Sequence, residues 1–184
     1  GNYNTAVGDQ TLITNTSGVQ NTAVGQGALY SNTTHNNNAF GYNALLSNSS
    51  GASNCAFGSH ALDNNTTANN NTAVGHRAMD ANTTGAQNTA VGRVALDANT
   101  TGDGNVAIGN QALGSNTTAS NNTAVGNAAL INNTTGTNNV AVGSNALDAS
   151  TTSSNNTAMG KDALGANTTG TSNCAVGTNA LRDL

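Results

Sequence analysis

Polar and apolar residues follow one another along this chain in a regular pattern with a 17-residue period. The pentapeptide Asn-Thr-Ala-Val-Gly, or a close variant of it, occurs eleven times, and nine of the ten spacings between its glycines equal this period. The spacing from Gly25 to Gly41 is shorter by a single position. A fixed period of this size, with no segment long enough for a helix, is typical of a solenoid in which each repeat stacks on the next.

The columns of the repeat, counted from the Asn of the pentapeptide, indicate which side chains share a face. The third column is always Ala, the fifth is always Gly, and the fourth is always apolar. Because alternate residues of a strand point to opposite faces, the second and fourth columns share one face and the first, third and fifth share the other. The second of these faces carries Ala and Gly, which indicates that another backbone approaches it closely.

A second segment follows each pentapeptide. Ala-Leu comes three and four residues after the Gly, as in Ala28-Leu29, and a polar triplet such as Asn82-Thr83-Thr84 comes next. The triplets are typical of turns, and the many Gly, Asn and Thr residues disfavour a helix. Each repeat therefore predicts a strand, a Gly turn, a second short strand and a polar turn.

These patterns predict one all-β domain over residues 1–184, a two-sided parallel β-roll or β-solenoid of about eleven 17-residue coils. The predicted core of the repeat consists of the fourth-column residues together with leucines of the second segment. These are Val7, Val24, Phe40, Phe57, Val74, Val91, Ile108, Val125, Val142, Met159, Val176, Leu29, Leu62, Leu96 and Leu147.

A roll this thin buries few large side chains, so we expect it to be only marginally stable as a single chain. If the Ala and Gly face packed against copies of itself around an axis, every coil would gain a second buried surface. The sequence therefore predicts a homo-oligomer, with three chains as the simplest closed ring for a fibre.

Composition and charge narrow the function. Only 7% of the residues are charged and 3% are aromatic, which does not favour a conventional enzyme core. Four Lys and Arg residues and a net charge of −4 do not provide a basic face, so we expect no binding to nucleic acid. No apolar run approaches the length of a membrane helix, about 20 residues, and no secretory signal stands at Gly1.

Two pentapeptides resemble a known repeat closely. The segments 105–109 (Asn-Val-Ala-Ile-Gly) and 139–143 (Asn-Val-Ala-Val-Gly) resemble the Ser-Val-Ala-Ile-Gly signature of the YadA-like head repeats of trimeric autotransporter adhesins, also called haemagglutinin-type repeats. Similar repeats occur in tail fibres of phages and of phage-like injection systems. The resemblance extends over the whole chain, although the units of that family are often shorter than the ones in this sequence.

This resemblance implies a left-handed parallel β-roll, a side-by-side homotrimer, and a non-enzymatic adhesive role without a cofactor. The location would be extracellular, on a bacterial cell surface or on a virion or phage-like tail. The partners would be further copies of the chain and a host or matrix surface molecule or glycan. Since no anchor, coiled-coil stalk or chaperone segment is found in the sequence, we expect the chain to be a piece of a longer fibrous protein.

The two cysteines and the polar triplets each allow two interpretations. Cys55 and Cys174 occupy the second column seven coils apart, about 34 Å at the spacing of β-strands, which is too far for a disulfide within the chain. They are either small buried residues in place of Thr or points of contact between copies. The Asn-Thr-Thr triplets are either simple turns or N-glycosylation sequons.

Histidine and aspartate clusters are the remaining candidates for chemistry. His60 and His76 lie in adjacent coils near two arginines, and without a convergent set of ligands we expect a solvated edge and no metal site. Asp63, Asp80 and Asp97 occupy one column in three consecutive coils. Solvent and the arginines are expected to screen this row, and a bound Ca²⁺ is the alternative.

Four functions are compatible with these patterns. The first is an adhesive or structural fibre segment, and the second is the shaft of a phage or contractile-injection tail fibre. The third is ice binding through rows of threonines, although the paired threonines lie next to each other in a turn. The fourth is an acyltransferase with hexapeptide repeats, but only one hexapeptide fits in each 17-residue period, and the three histidines share no cleft.

Overall fold

The second, third and fourth columns form a three-residue strand in every coil of the computed structural model, which describes residues 1–183. Thr and Val suit a pleated surface. The Gly that follows ends each strand with a φ between +124° and +140°, a region that favours glycine. The strands β1 to β11 are Thr5–Val7, Thr22–Val24, Asn38–Phe40, Cys55–Phe57, Thr72–Val74, Thr89–Val91, Val106–Ile108, Thr123–Val125, Val140–Val142, Thr157–Met159 and Cys174–Val176.

The strands pair in parallel and in register, each with its neighbours in sequence. They form one eleven-stranded sheet in the order β1 to β11. Ala73 of β5 stands opposite Ala90 of β6, and Thr22 of β2 stands opposite Asn38 of β3 in spite of the shorter spacing there. The predicted all-β parallel solenoid of 17-residue coils is confirmed. It makes about ten turns, and residues 1–183 contain no helix.

The second short strand predicted for each coil is absent from the described residues. The backbone of this segment forms turns and is left-handed at every second residue, with a φ of +57° at His60 and +54° at Leu62, so it does not form a strand. It still bonds to the next coil, since the amide of Leu62 donates to the carbonyl of Ala78 at 3.1 Å and the amide of Arg77 donates to the carbonyl of Ser59 at 3.0 Å.

The interior is filled by alanine and leucine. Ala73 in the third column and the pair Ala78-Met79 in the second segment are fully buried, and the same columns are buried in the coils on either side. Leu29, Leu62, Leu96 and Leu147 are fully buried, so the predicted core positions of these leucines are confirmed.

The fourth column corrects the sequence prediction, because its side chains point out of the roll. Alternation along the strand turns the third-column Ala inward, and the second and fourth columns therefore point outward. The exposed members are Val7, Phe57, Val74, Ile108, Met159 and Val176, and the half-buried ones are Val24, Phe40, Val91, Val125 and Val142. In the isolated chain these residues lie outside the core.

The small residues have a different role from the predicted contact between copies. The Ala columns are already buried inside one chain, so they offer no surface to a second chain. A Cβ added to Gly75 would lie 2.4 Å from the carbonyl oxygen of Gly92 in the next coil. The close backbone approach expected at this face is therefore made by the neighbouring coil of the same chain.

Candidate functional site

Each internal coil buries polar side chains, usually two asparagines, and these form two ladders along the roll. In the first ladder, Oδ1 of Asn88 accepts the backbone N–H of Asn105 at 2.8 Å, and Nδ2 of Asn88 donates to the carbonyl of Gly102 at 2.8 Å. In the second, Nδ2 of Asn99 donates to Oδ1 of Asn82 at 2.9 Å and to the same Gly102 carbonyl at 3.0 Å. The ladders satisfy turn carbonyls and backbone amides that would otherwise be buried without partners.

The second ladder answers the glycosylation question for the Asn-Thr-Thr triplets. Both amide hydrogens of Asn82 are donated, to Asn65 and Gly85, and its side chain is fully buried. In the folded chain, a transferase cannot reach such an amide. The asparagines of other sequons are exposed, namely Asn64, Asn70, Asn121, Asn132 and Asn155.

Ser150 interrupts the second ladder. The Asn present at this position in other coils would donate to Oδ1 of Asn133, whereas Ser150 hydrogen-bonds to Ser153 within its own turn. Oδ1 of Asn133 is consequently buried without a partner. A buried acceptor without a hydrogen bond costs about 1–3 kcal/mol, so this coil is the weak point of the ladder.

The outer surface of the sheet, formed by the second and fourth columns, is called the strand face below. Val176, the most exposed large side chain in these columns, is 69% exposed, and Phe57 is 42% exposed. Phe40 and Phe57 stack on this face with ring centroids 4.4 Å apart. The strand face is an apolar stripe that continues through all eleven coils, bordered by the hydroxyls of the second-column threonines.

Both cysteines lie on the strand face as free thiols. Cys55 is half-buried and Cys174 is exposed. Burial raises the pKa of the Cys55 thiol, which keeps it protonated at neutral pH. Since neither side chain fills the core, the expectation of two small buried residues is wrong for the isolated chain. Contact between copies remains a hypothesis.

The surface beside the Ala-Leu segment, formed by columns six, seven, ten and eleven, is called the turn face. The predicted aspartate row lies here and is paired with basic groups. Nε of Arg77 is 2.8 Å from Asp80, and a second nitrogen of Arg77 is 3.6 Å from Asp97. Nδ1 of His60 is 2.7 Å from Asp63. The expected neutralisation by arginine is confirmed for two of the three carboxylates.

Asp97 is the least well accommodated carboxylate of the row, although Arg77 lies beside it. Burial raises the pKa of Asp97 above 3.8, Asp80 acts in the same direction, and Arg77 opposes both. One oxygen of Asp97 is buried without a hydrogen bond. Within residues 1–183, no group of three His, Cys, Asp or Glu side chains is arranged to hold a metal ion. His76 and Arg93 are exposed beside this row.

The turn face carries shallow depressions. The one beside Asp97 measures about 240 Å³ and includes Arg93, Gln111 and Ser115. Another, of about 330 Å³, lies among Asp148, Asp162 and other residues of the last coils. Burial raises the pKa of Asp148, whereas a hydrogen bond from Lys161 lowers that of Asp162.

The third depression measures about 460 Å³ and lies at the opposite end of the roll. Its residues are Gln10, Gln26, Tyr30, Ser31, Tyr42, Asn43, Leu46 and Ser47. The sequence analysis missed this groove, because it considered the residues that each column shares and not the residues peculiar to single coils. The available signal was the location of the aromatic residues, all five of which occur within the first 57 positions.

Comparison with known proteins identifies no relative. No family model, no curated protein and no solved structure matches the chain. Among the described residues there is also no helix long and apolar enough to cross a membrane.

Proposed function

We propose that this chain is a segment of a non-enzymatic extracellular fibre in which three copies associate side by side and variable turns attach to a surface. The coils would be left-handed, as in the YadA-like head repeats that the sequence resembles. The location proposed is a bacterial cell surface or a phage-like tail. A tail-fibre shaft would use the same three-chain assembly, but its main role would be structural and its turns would bind no surface.

The observation that carries this proposal is the apolar strand face. Its side chains lie outside a core that alanine, leucine and asparagine already fill, so a lone chain leaves much of their apolar surface in contact with water. Val74, Ile108 and Met159 are 38%, 39% and 44% exposed. Contiguous apolar surface of this kind marks a site of association in soluble proteins.

A second copy of the chain fits this face better than an unrelated partner. The stripe repeats once per coil over eleven coils, and the strands are in register throughout. Another copy presents the same residues at the same spacing, so contacts can match coil by coil around a symmetry axis. The low charge of the face removes the repulsion that identical charged surfaces would have.

The test is the mass of the protein in solution, combined with Val74→Asp and Ile108→Asp. The wild type is expected at three times 18.1 kDa. Because the two side chains lie outside the core, the double variant should keep the circular dichroism of the fold and become monomeric. Thr84→Asp, on an exposed turn away from the strand face, is the matched control and should remain trimeric.

The cysteines provide a second measurement on the same face. If copies meet through the strand face, mild oxidation should link chains through Cys55 or Cys174, and Cys→Ser variants should abolish the link. A wild-type monomer at high concentration, or trimers that persist in the double Asp variant, would contradict the proposal.

Ice binding is a second candidate, because the strand face places a Thr and an apolar residue side by side in several coils, as in Thr89 and Val91. The row is irregular, with Asn38 and Cys55 in place of Thr and with Phe40 and Phe57 in the apolar column. Ice binding needs this face free, whereas association covers it. Thermal hysteresis in a monomeric sample would favour ice binding over the fibre.

A further inference from the structure

The groove of the first three coils differs in chemistry from the depressions beside Asp97 and Asp148. Tyr30 and Tyr42 border it, and side-chain amides and hydroxyls supply the polar groups, with no charged residue among the eight that line it. The depressions beside Asp97 and Asp148 each contain both Arg and Asp. The groove also lies outside the strand face, since none of its residues belongs to the second or fourth column.

The arrangement of the groove depends on one glycine. Gly27 occupies the seventh column, which carries a side chain in all ten other coils, including Gln10 before it and Asn43 after it. A Cβ placed on Gly27 would lie 2.5 Å from Oδ1 of Asn43 and 3.2 Å from Cδ1 of Leu46. A side chain at this position would therefore displace Asn43 and Leu46, which both line the groove.

The framework beneath the groove is held by hydrogen bonds between coils. The amide of Gly27 donates to the carbonyl of Asp9 at 3.0 Å, and the amide of Asn43 donates to the carbonyl of Gln26 at 3.0 Å. The ring of Tyr42 packs edge-on against His60, with centroids 5.1 Å apart and an interplanar angle of 77°. Tyr42 is still 48% exposed, so part of its surface is available to a ligand.

We propose that this groove binds a neutral saccharide. Amides and hydroxyls both donate and accept hydrogen bonds, as the hydroxyls of a sugar do. Tyrosine combines an apolar ring with a polar tip, which suits a ligand that has apolar C–H faces and polar edges. Because none of the eight residues that line the groove is charged, an uncharged ligand is favoured over an anionic one. This proposal names the ligand class for surface attachment, and its biological use rests on the proposed fibre.

Two variants alter the groove with residues that the same columns carry in other coils. Gly27→Asn introduces a side chain that displaces Asn43 and Leu46 from the groove, and the fold accepts Asn in this column, as at Asn145, where φ is +55°. Tyr42→Ser removes an exposed ring, and Ser occupies the same column at Ser59. Gln111→Asn, a change in the seventh column of a distant coil, is the matched control.

The probes are neutral di- and trisaccharides of glucose, galactose and N-acetylglucosamine, with sialyllactose as the acidic comparison. Binding is followed by ligand-detected NMR and by the fluorescence of the tyrosines. We expect at least one neutral saccharide to bind with a Kd of about 1 mM or tighter, since a shallow groove supports modest affinity. Gly27→Asn and Tyr42→Ser should each weaken binding by about tenfold or more, and Gln111→Asn should leave it unchanged.

The outcomes separate this proposal from the proposed fibre. If no neutral saccharide binds, or if both variants bind like the wild type, the groove is not a saccharide site, and the mass measurement on the strand face is unaffected. Stronger binding of sialyllactose that survives in Gly27→Asn would also overturn it. A monomeric wild type that binds neutral saccharide through Gly27 and Tyr42 would contradict the fibre and leave the saccharide site standing.

Discussion

The strand face and the turn face belong to the same coils but differ in how far they vary. On the strand face the fourth column is apolar in every coil, and the second is Thr, Val, Cys or Asn. On the turn face the seventh column changes from Gly27 to Asn43, His60 and Arg77 in four consecutive coils. The backbone is the same under both. Uniformity suits association with identical copies, and variation suits recognition of something else.

The core that supports both faces should be the most sensitive to substitution. Asn88→Ala would leave the backbone N–H of Asn105 buried without an acceptor and would leave a void in the ladder. We expect a loss of about 2–4 kcal/mol in the free energy of unfolding, measured by chemical denaturation. Gln87→Asn, one residue away on the surface, is the control and should change it by less than about 0.5 kcal/mol. Equal effects at both positions would contradict the ladder's structural role.

The interruption at Ser150 allows the ladder to be improved. Ser150→Asn combined with Ser153→Gly restores the pair found in other coils and gives Oδ1 of Asn133 a donor. The double variant should gain about 1–3 kcal/mol in the free energy of unfolding. Ser150→Asn alone should gain less, because the larger amide meets the hydroxyl of Ser153. A double variant no more stable than the wild type would show that Asn133 is satisfied in another way.

On the turn face, one residue conflicts with its backbone. Val94 has a φ of +48°, a conformation that is unfavourable for a β-branched side chain. Val94→Asn should stabilise the chain by about 1 kcal/mol, since Asn tolerates this region. The readout is the thermal midpoint. Ala128→Asn, at the same column with a φ of +57°, is the comparison and should gain less because Ala is not β-branched.

The smallest expected effect concerns the charged row. Because burial raises the pKa of Asp97, the stability linked to its protonation is present below pH 3.8 and is lost as the pH rises through the raised pKa. Asp97→Asn should therefore be more stable than the wild type at pH 7, by at most about 1 kcal/mol for a partly solvated group, with the difference vanishing below pH 3.8.

For Asp162, the pKa shift and the expected change in stability have the opposite sign to those for Asp97. Lys161 lowers its pKa, so its contribution is present above pH 3.8 and is lost as the pH falls through the lowered value. Asp162→Asn should therefore be slightly less stable than the wild type at pH 7. Thermal midpoints of both variants, measured at pH 7 and at a series of pH values down to below pH 3.8, would check the two directions together. Parallel profiles would contradict both pKa directions.

Periodicity predicted much of this fold, because it reports the 17-residue coil directly. It placed the parallel pairing, the strand at each pentapeptide and the buried leucines. It assigned the wrong side of the strand to the interior, since a three-residue strand leaves too little alternation to distinguish an apolar core from an apolar outer stripe. The alanines gave the answer, because the interior of so thin a roll has room only for small residues such as Ala73.

The candidate sites were harder to predict for a related reason. Side chains that repeat are visible as columns, whereas the groove depends on a single departure at Gly27 and on aromatic residues in only some coils. The αL conformation of Leu62 also gave no signal, since leucine does not favour a positive φ. Residues that differ from the repeat consensus, such as Gly27, therefore indicate a binding site that the consensus residues do not indicate.

In-register stacking makes the length of the rod adjustable in whole steps. Every coil contacts only its neighbours through the same pairs of residues, so excising positions 103–119 would bring two equivalent columns together and shorten the rod by about 4.8 Å. The groove near one end would keep its shape while its height above any base changed. Duplication or deletion of repeats in the gene can thus change the length of such a rod by one coil at a time.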